Sequence, residues 1–94
     1  MALPQAVTID FSGLRSKAAM LEAIARALKF PRHFGMNLDA LHDCLTDLEF
    51  PAGGCTITLA GLARTAAGEA VYEVVRSAAR FWKKQGHTVT VVRQ

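Results

Sequence analysis

Cysteine is scarce in this 94-residue chain, with only Cys44 and Cys55 present. They form neither a Cys-x-x-Cys pair nor a dense framework, which excludes a disulfide scaffold and points to reduced thiols in the cytoplasm. Long apolar runs are missing as well. No stretch approaches the roughly 20 residues that a membrane helix needs, and MALPQAVTIDFSG lacks the basic start and apolar middle of a signal peptide. Repeats, low complexity and linker-like composition are absent too, so one domain spanning residues 1–94 is expected. The absence with most consequence concerns charge of one sign: between residues 33 and 63 there is no lysine or arginine.

The chain is basic overall, at +3, yet that charge is unevenly spread. Residues 1–32 carry five bases and two acids, residues 33–63 four acids and no base, and residues 64–94 six bases and two acids. A uniformly basic small domain would point to nucleic acid. A polarised one with an acidic middle third points elsewhere.

Periodicity divides the rest. AVTIDF (6–11) and CTITLA (55–60) alternate apolar and polar residues, as half-buried strands do, and TVTVV (88–92) supplies a third strand. Ser16 caps a helix running to about Lys29, with Met20, Leu21, Ile24 and Leu28 on its apolar face and Pro31 ending it. Asn37 caps a second helix through about Leu48, and FPAGG (50–54) reads as a turn. A third helix covers about 67–85, with Val71, Val74, Val75, Ala78 and Trp82 inward and Gly86 just past its end. Strands joined by helical crossovers form a parallel sheet. Threonines at 8, 56, 58, 88 and 90, with Asp10, leave one sheet face polar, whereas a sheet covered on both faces reads as continuous apolar runs. The expected fold is therefore α/β: a two-layer, three-stranded parallel sheet in order 1-2-3, with helices packed on one face.

On a wheel of about 100° per residue, Leu38, Leu41, Leu45 and Leu48 of the second helix share one arc. Asp39, Asp43 and Asp47 lie almost opposite. The leucines dock the helix and the aspartates face solvent, at a cost of roughly 0.2–0.5 kcal/mol per like-charged i,i+4 pair. Two readings stay open: a solvated face, or an anionic surface awaiting a cationic partner. Carboxylates along one exposed helix do not converge as hard-cation ligands, and no cleft is evident that would tune them for acid–base chemistry.

HFGMNLDALHDCLTD closely resembles the hallmark segment of the barstar family, small intracellular inhibitors of secreted ribonucleases. The match is a gap-free aromatic-Gly-x-Asn-Leu-Asp-Ala-Leu-x-Asp-Cys-Leu-Thr string, and the order of elements fits over nearly the whole chain. The resemblance implies an immunity or antitoxin-type protein whose acidic helix and preceding loop plug the active site of a basic ribonuclease or related toxin. It carries over Asp39 and Asp43, the latter as the dominant contact, with Phe34, Gly35, Asn37, Ala40, Leu41, Cys44 and Thr46 around them. His33, His42 and Asp47 join this expected partner-binding set, although they depart from the family's usual residues. The histidines stand where aromatics are usual and Asp47 where glycine is. Leu48 replaces a tryptophan and Phe81 an acid. These differences imply a partner surface unlike that of the family's best-known enzyme. The resemblance implies no catalysis, no cofactor or metal, no membrane, no direct nucleic-acid contact, and a monomer when free.

The other chemistries these residues could carry find no support in their spacing. His33, His42 and His87 have no metal-ligand spacing with the cysteines. Cys44 has no histidine at i±3 or i±4 and reads as a buried thiol rather than a nucleophile. Arg76, Arg80, Lys83 and Lys84 form a basic stripe, the basis of an alternative reading as a small RNA-binding module. Glu69 and Glu73 precede them on the same face, and acids first with bases last suits a solvated helix dipole. No aromatic interleaves the stripe for base stacking.

Overall fold

In the computed structural model, which describes residues 3–31 and 34–94, the alternating segments become strands β1 (Ala6–Asp10), β2 (Cys55–Ala60) and β3 (Val89–Arg93). Helices α1 (Lys17–Leu28) and α2 (Leu38–Thr46) lie between β1 and β2, and α3 (Ala66–Lys84) between β2 and β3. β2 pairs parallel with both neighbours in the order β1-β2-β3, with Ile57 opposite Val7 on one side and Val91 on the other. The register aligns side chains by face. Ile9, Ile57 and Leu59 are at most 2 % exposed, whereas Thr8, Asp10, Thr56 and Thr90 on the opposite face are open to solvent. The helices cover the first face alone, and the polar second face is why no second helical layer forms.

The core between sheet and helices contains Phe11, Met20, Leu21, Ile24, Leu41, Val71 and Ala78, all fully buried, and Trp82 at 1 % exposure. Burying one such aliphatic or aromatic side chain contributes roughly 1.5–3 kcal/mol. These residues sit at helical spacing on α1, α2 and α3, so one apolar stripe per helix suffices to dock it.

The ends of the elements depart slightly from expectation, each for a local reason. α1 starts as anticipated, with Ser16 Oγ accepting the Ala19 N–H at 3.1 Å. It stops at Leu28, ahead of the influence of Pro31, because Lys29 turns left-handed at φ 57° and the Phe30 N–H bonds back to Ala25 O at 2.9 Å. That closure normally takes glycine. α3 begins one residue early, since Thr65 Oγ1 accepts the Gly68 N–H at 3.2 Å. It ends one residue early at Lys84, with Gly86 at φ 85° and the His87 N–H reaching Trp82 O at 3.0 Å. β1 closes at Asp10, although the Phe11 N–H still donates to Ala60 O. β3 is shifted by one residue to 89–93. Thr88 contributes only its carbonyl, accepting the Cys55 N–H, whereas Arg93 pairs with Leu59 and the Gln94 N–H reaches Leu59 O. A Cβ at Gly54 would lie 2.5 Å from that Thr88 carbonyl, and the residue has φ 91°, so glycine is required where β2 meets β3.

Arg93 also ties the last strand to α3. Its side chain is only 9 % exposed, its Nη1 lies 2.8 Å from Glu69 Oε2, and its guanidinium sits 4.6 Å from the Tyr72 ring centre. The hydrogen bond from Arg93 holds the Glu69 carboxyl below its ordinary pKa.

Candidate functional site

The acidic helix is set by its two ends and by one apolar face. At its start Asn37 Oδ1 accepts the Ala40 N–H at 2.8 Å, while Asn37 Nδ2 donates to Gly35 O at 3.2 Å. One side chain therefore caps α2 and folds the preceding loop onto it. Gly35 lies against the first turn, where an added Cβ would sit 3.4 Å from the Ala40 Cβ. Met36, between them, has φ 50° and is 41 % exposed. A methionine in the left-handed region costs roughly 1 kcal/mol or more, and such strain collects where a loop is held for function. Nothing in the sequence marks Met36, because no glycine or asparagine stands there to signal the turn.

At the other end Thr46 Oγ1 donates to His42 O and Asp43 O at 3.0 and 3.1 Å, and the Asp47 N–H closes onto Cys44 O and Leu45 O. The indole Nε1 of Trp82, from α3, donates to Leu45 O at 2.9 Å. Leu45 O thus accepts the indole in addition to the closing turn of α2. α2 stops at Thr46, two residues before the expected Leu48, which packs half-buried against the core. Leu41 and Leu45 are buried at 0 % and 1 % exposure, and Leu38 is half-buried beside them.

With the leucines inward, Asp39, Asp43 and Asp47 are all exposed, as expected. Among the described residues none of the three joins an ion pair or a side-chain hydrogen bond. Asp39 lies in the first turn, where the helix dipole favours a carboxylate; Asp47 is the C-terminal cap, where it does not, each effect being about 0.3–1 kcal/mol. The result is a fixed row of uncompensated negative charge at one-turn spacing.

The other expected site residues distribute around this row. Phe34 is half-buried, its ring edge-on to Phe30 at 5.2 Å, which anchors the loop before α2. Ala40 and His42 are half-exposed on the flanks of the helix, and Thr46 is engaged with α2's own carbonyls. His33 falls outside the described residues. Cys44 is half-buried rather than buried, since it stands at the border of the leucine arc; burial and then the charges of Asp43 and Asp47 push its thiol pKa up. A raised thiol pKa opposes nucleophilic chemistry.

The expectation of no cleft beside the acids needs correcting. Asp43, Cys44 and Asp47 form one wall of an open groove of about 640 Å³, whose other wall is built by β1 and the end of α1, Lys29 and Phe30 included. Crossover packing creates this groove, and no local pattern announces it. Among the described residues no His, Cys, Asp and Glu side chains cluster as metal ligands, and no helix is long and apolar enough to cross a membrane.

A protein-family model described as "Barstar (barnase inhibitor)" matches residues 5–94, essentially the whole chain. No curated protein matches the chain.

Proposed function

The chain belongs to the barstar family, and on that premise we propose that it is a protein inhibitor, not an enzyme, that blocks the active site of a basic ribonuclease or related toxin in the cytoplasm. The observation that carries the reading is the row Asp39, Asp43 and Asp47, exposed and without ion pairs among the described residues, on a helix held at both ends. A surface that keeps like charges together and leaves them unpaired is stabilised when a cationic cleft arrives, and its rigidity keeps the ordering cost of binding low.

Asp43, mid-helix, is the central anchor in this reading, with Asp39 one turn earlier. Asn37 and Gly35 shape the loop that presents both. Phe34, Ala40, His42, Thr46 and Asp47 form the surround, and His33 belongs to the same proposed set. The four acids and no bases of residues 33–63 steer encounter despite the positive total, because fields beyond a Debye length of about 8 Å are screened.

The test is titration of the cognate ribonuclease with wild-type and Asp43→Ala protein. Binding weakens by about 2 kcal/mol or more, the size seen when one partner of a buried interfacial charge pair is truncated, barstar-family complexes among them. Free-state stability stays within about 0.5 kcal/mol, since the residue is exposed. Equal inhibition by the variant, or its unfolding, defeats the assignment.

A further inference from the structure

A second groove, of about 580 Å³, lies between α3 and the edge strand β3. Its polar lining comes from Tyr72, Arg76, Arg80, Lys83, His87 and Thr88, and no acidic side chain borders it. The two acids that make the basic stripe of α3 look like an ordinary solvated face are both ion-paired in the fold, Glu73 with a member of the stripe itself. Glu69 is paired with Arg93 from β3 at 2.8 Å, and Glu73 with Arg76 at 3.3 Å. Arg80 and Lys83 form no ion pair among the described residues. Along α3 they follow Arg76 at intervals of about 6 and 4.5 Å.

The strand side of the groove is an unpaired sheet edge. Thr88 O and Gln94 N–H both face β2. By the alternation of a parallel strand, the N–H and C=O groups of Val89 and Val91 therefore both point away from β2, at the open edge. Tyr72 also enters this groove, its ring fixed by the Arg93 guanidinium. Guanidinium, ammonium, phenol and hydroxyl groups thus line one channel whose neighbouring carboxylates are already paired.

We propose that the α3–β3 groove binds the phosphodiester backbone of a nucleic-acid strand, independently of base sequence and of the acidic helix. A regular polyanion suits a row of cations at one-turn spacing better than a single small anion does, because each charge of the row meets its own phosphate. The fixed donors position a backbone and carry no base readout, so RNA and DNA of equal length share the same chemistry here.

Fluorescence anisotropy with a labelled oligouridine and its deoxy counterpart tests this on the whole protein. Both strands bind at about 50 mM salt, and log K falls against log[salt] with a slope of about −1.4, as expected for about two phosphates neutralised on a single strand by Arg80 and Lys83. Arg80→Gln combined with Lys83→Gln, both exposed positions, weakens binding at least tenfold with an unchanged circular dichroism spectrum, whereas Asp43→Ala leaves it intact. That last arm separates this proposal from the inhibitor reading, which Asp43→Ala disables. The proposal is overturned if neither strand binds, or if the double variant binds as well as wild type. Equal binding of polyglutamate of matched charge, or low-salt self-association through the acidic helix of a second copy in place of strand binding, overturns it too.

Discussion

Trp82→Phe isolates the contact by which the body of the protein holds the acidic helix. Trp82 is 1 % exposed, its Nε1 donates to Leu45 O at 2.9 Å, and its ring meets Phe50 edge-on at 5.0 Å. Phenylalanine keeps most of the apolar ring but loses the donor. The lost hydrogen bond is worth about 1 kcal/mol, and the smaller ring forfeits two carbon atoms of burial, at about 0.8 kcal/mol each. The total, about 2.5 kcal/mol, lowers the Tm by roughly 10–20 °C in a domain of this size. Urea unfolding followed by far-ultraviolet circular dichroism measures it, since the variant has no tryptophan to report. Hydrogen exchange localises it: amides in the last turn of α2 lose protection beyond the global change, whereas those of Met20 and Leu21 in α1 follow the global change alone. A loss under about 0.5 kcal/mol, the ordinary range for uncritical substitutions, or loss of protection spread evenly over α1 and α2, would show that the indole does not hold α2.

Lys29→Gly relieves a left-handed residue at φ 57° and raises stability by about 1 kcal/mol in the same urea assay, against the usual loss on introducing glycine. Glu69 is held below its ordinary pKa by Arg93, so its contribution is present above the unfolded-state value and is lost as pH falls through the folded one. Glu69→Gln therefore destabilises near neutrality, and the gap to wild type closes in acid-titrated thermal melts below the usual glutamate range. Cys44, whose thiol is pushed up by burial and by Asp43 and Asp47, alkylates with iodoacetamide more slowly than a free thiol at neutral pH. Asp43→Asn with Asp47→Asn speeds it; an unchanged rate shows that these charges do not act on the thiol.

What the residues determine by themselves is local. Ser16 and Asn37 accept N–H groups three positions on, and a contact that short is readable from the chain. The threonine alternation in β1 and β2 likewise foretells a one-faced sheet and its simple order, because side-chain direction alternates with every residue of a strand. Opposition of leucines and aspartates on α2 follows from helical pitch alone. Long-range partners decided the rest. The end of α2 is tied to the body by an indole 37 positions away, which donates to Leu45 O. The acids of α3 are paired neighbours of the second groove and do not line it, partly because Arg93, 24 residues on, reaches Glu69. The groove beside α2 is a gap between elements far apart along the chain, and Met36 takes a left-handed turn that its side chain does not favour. Patterns of period 2 and 3.6 record which face a residue takes; which distant group meets that face is settled only when the crossovers close.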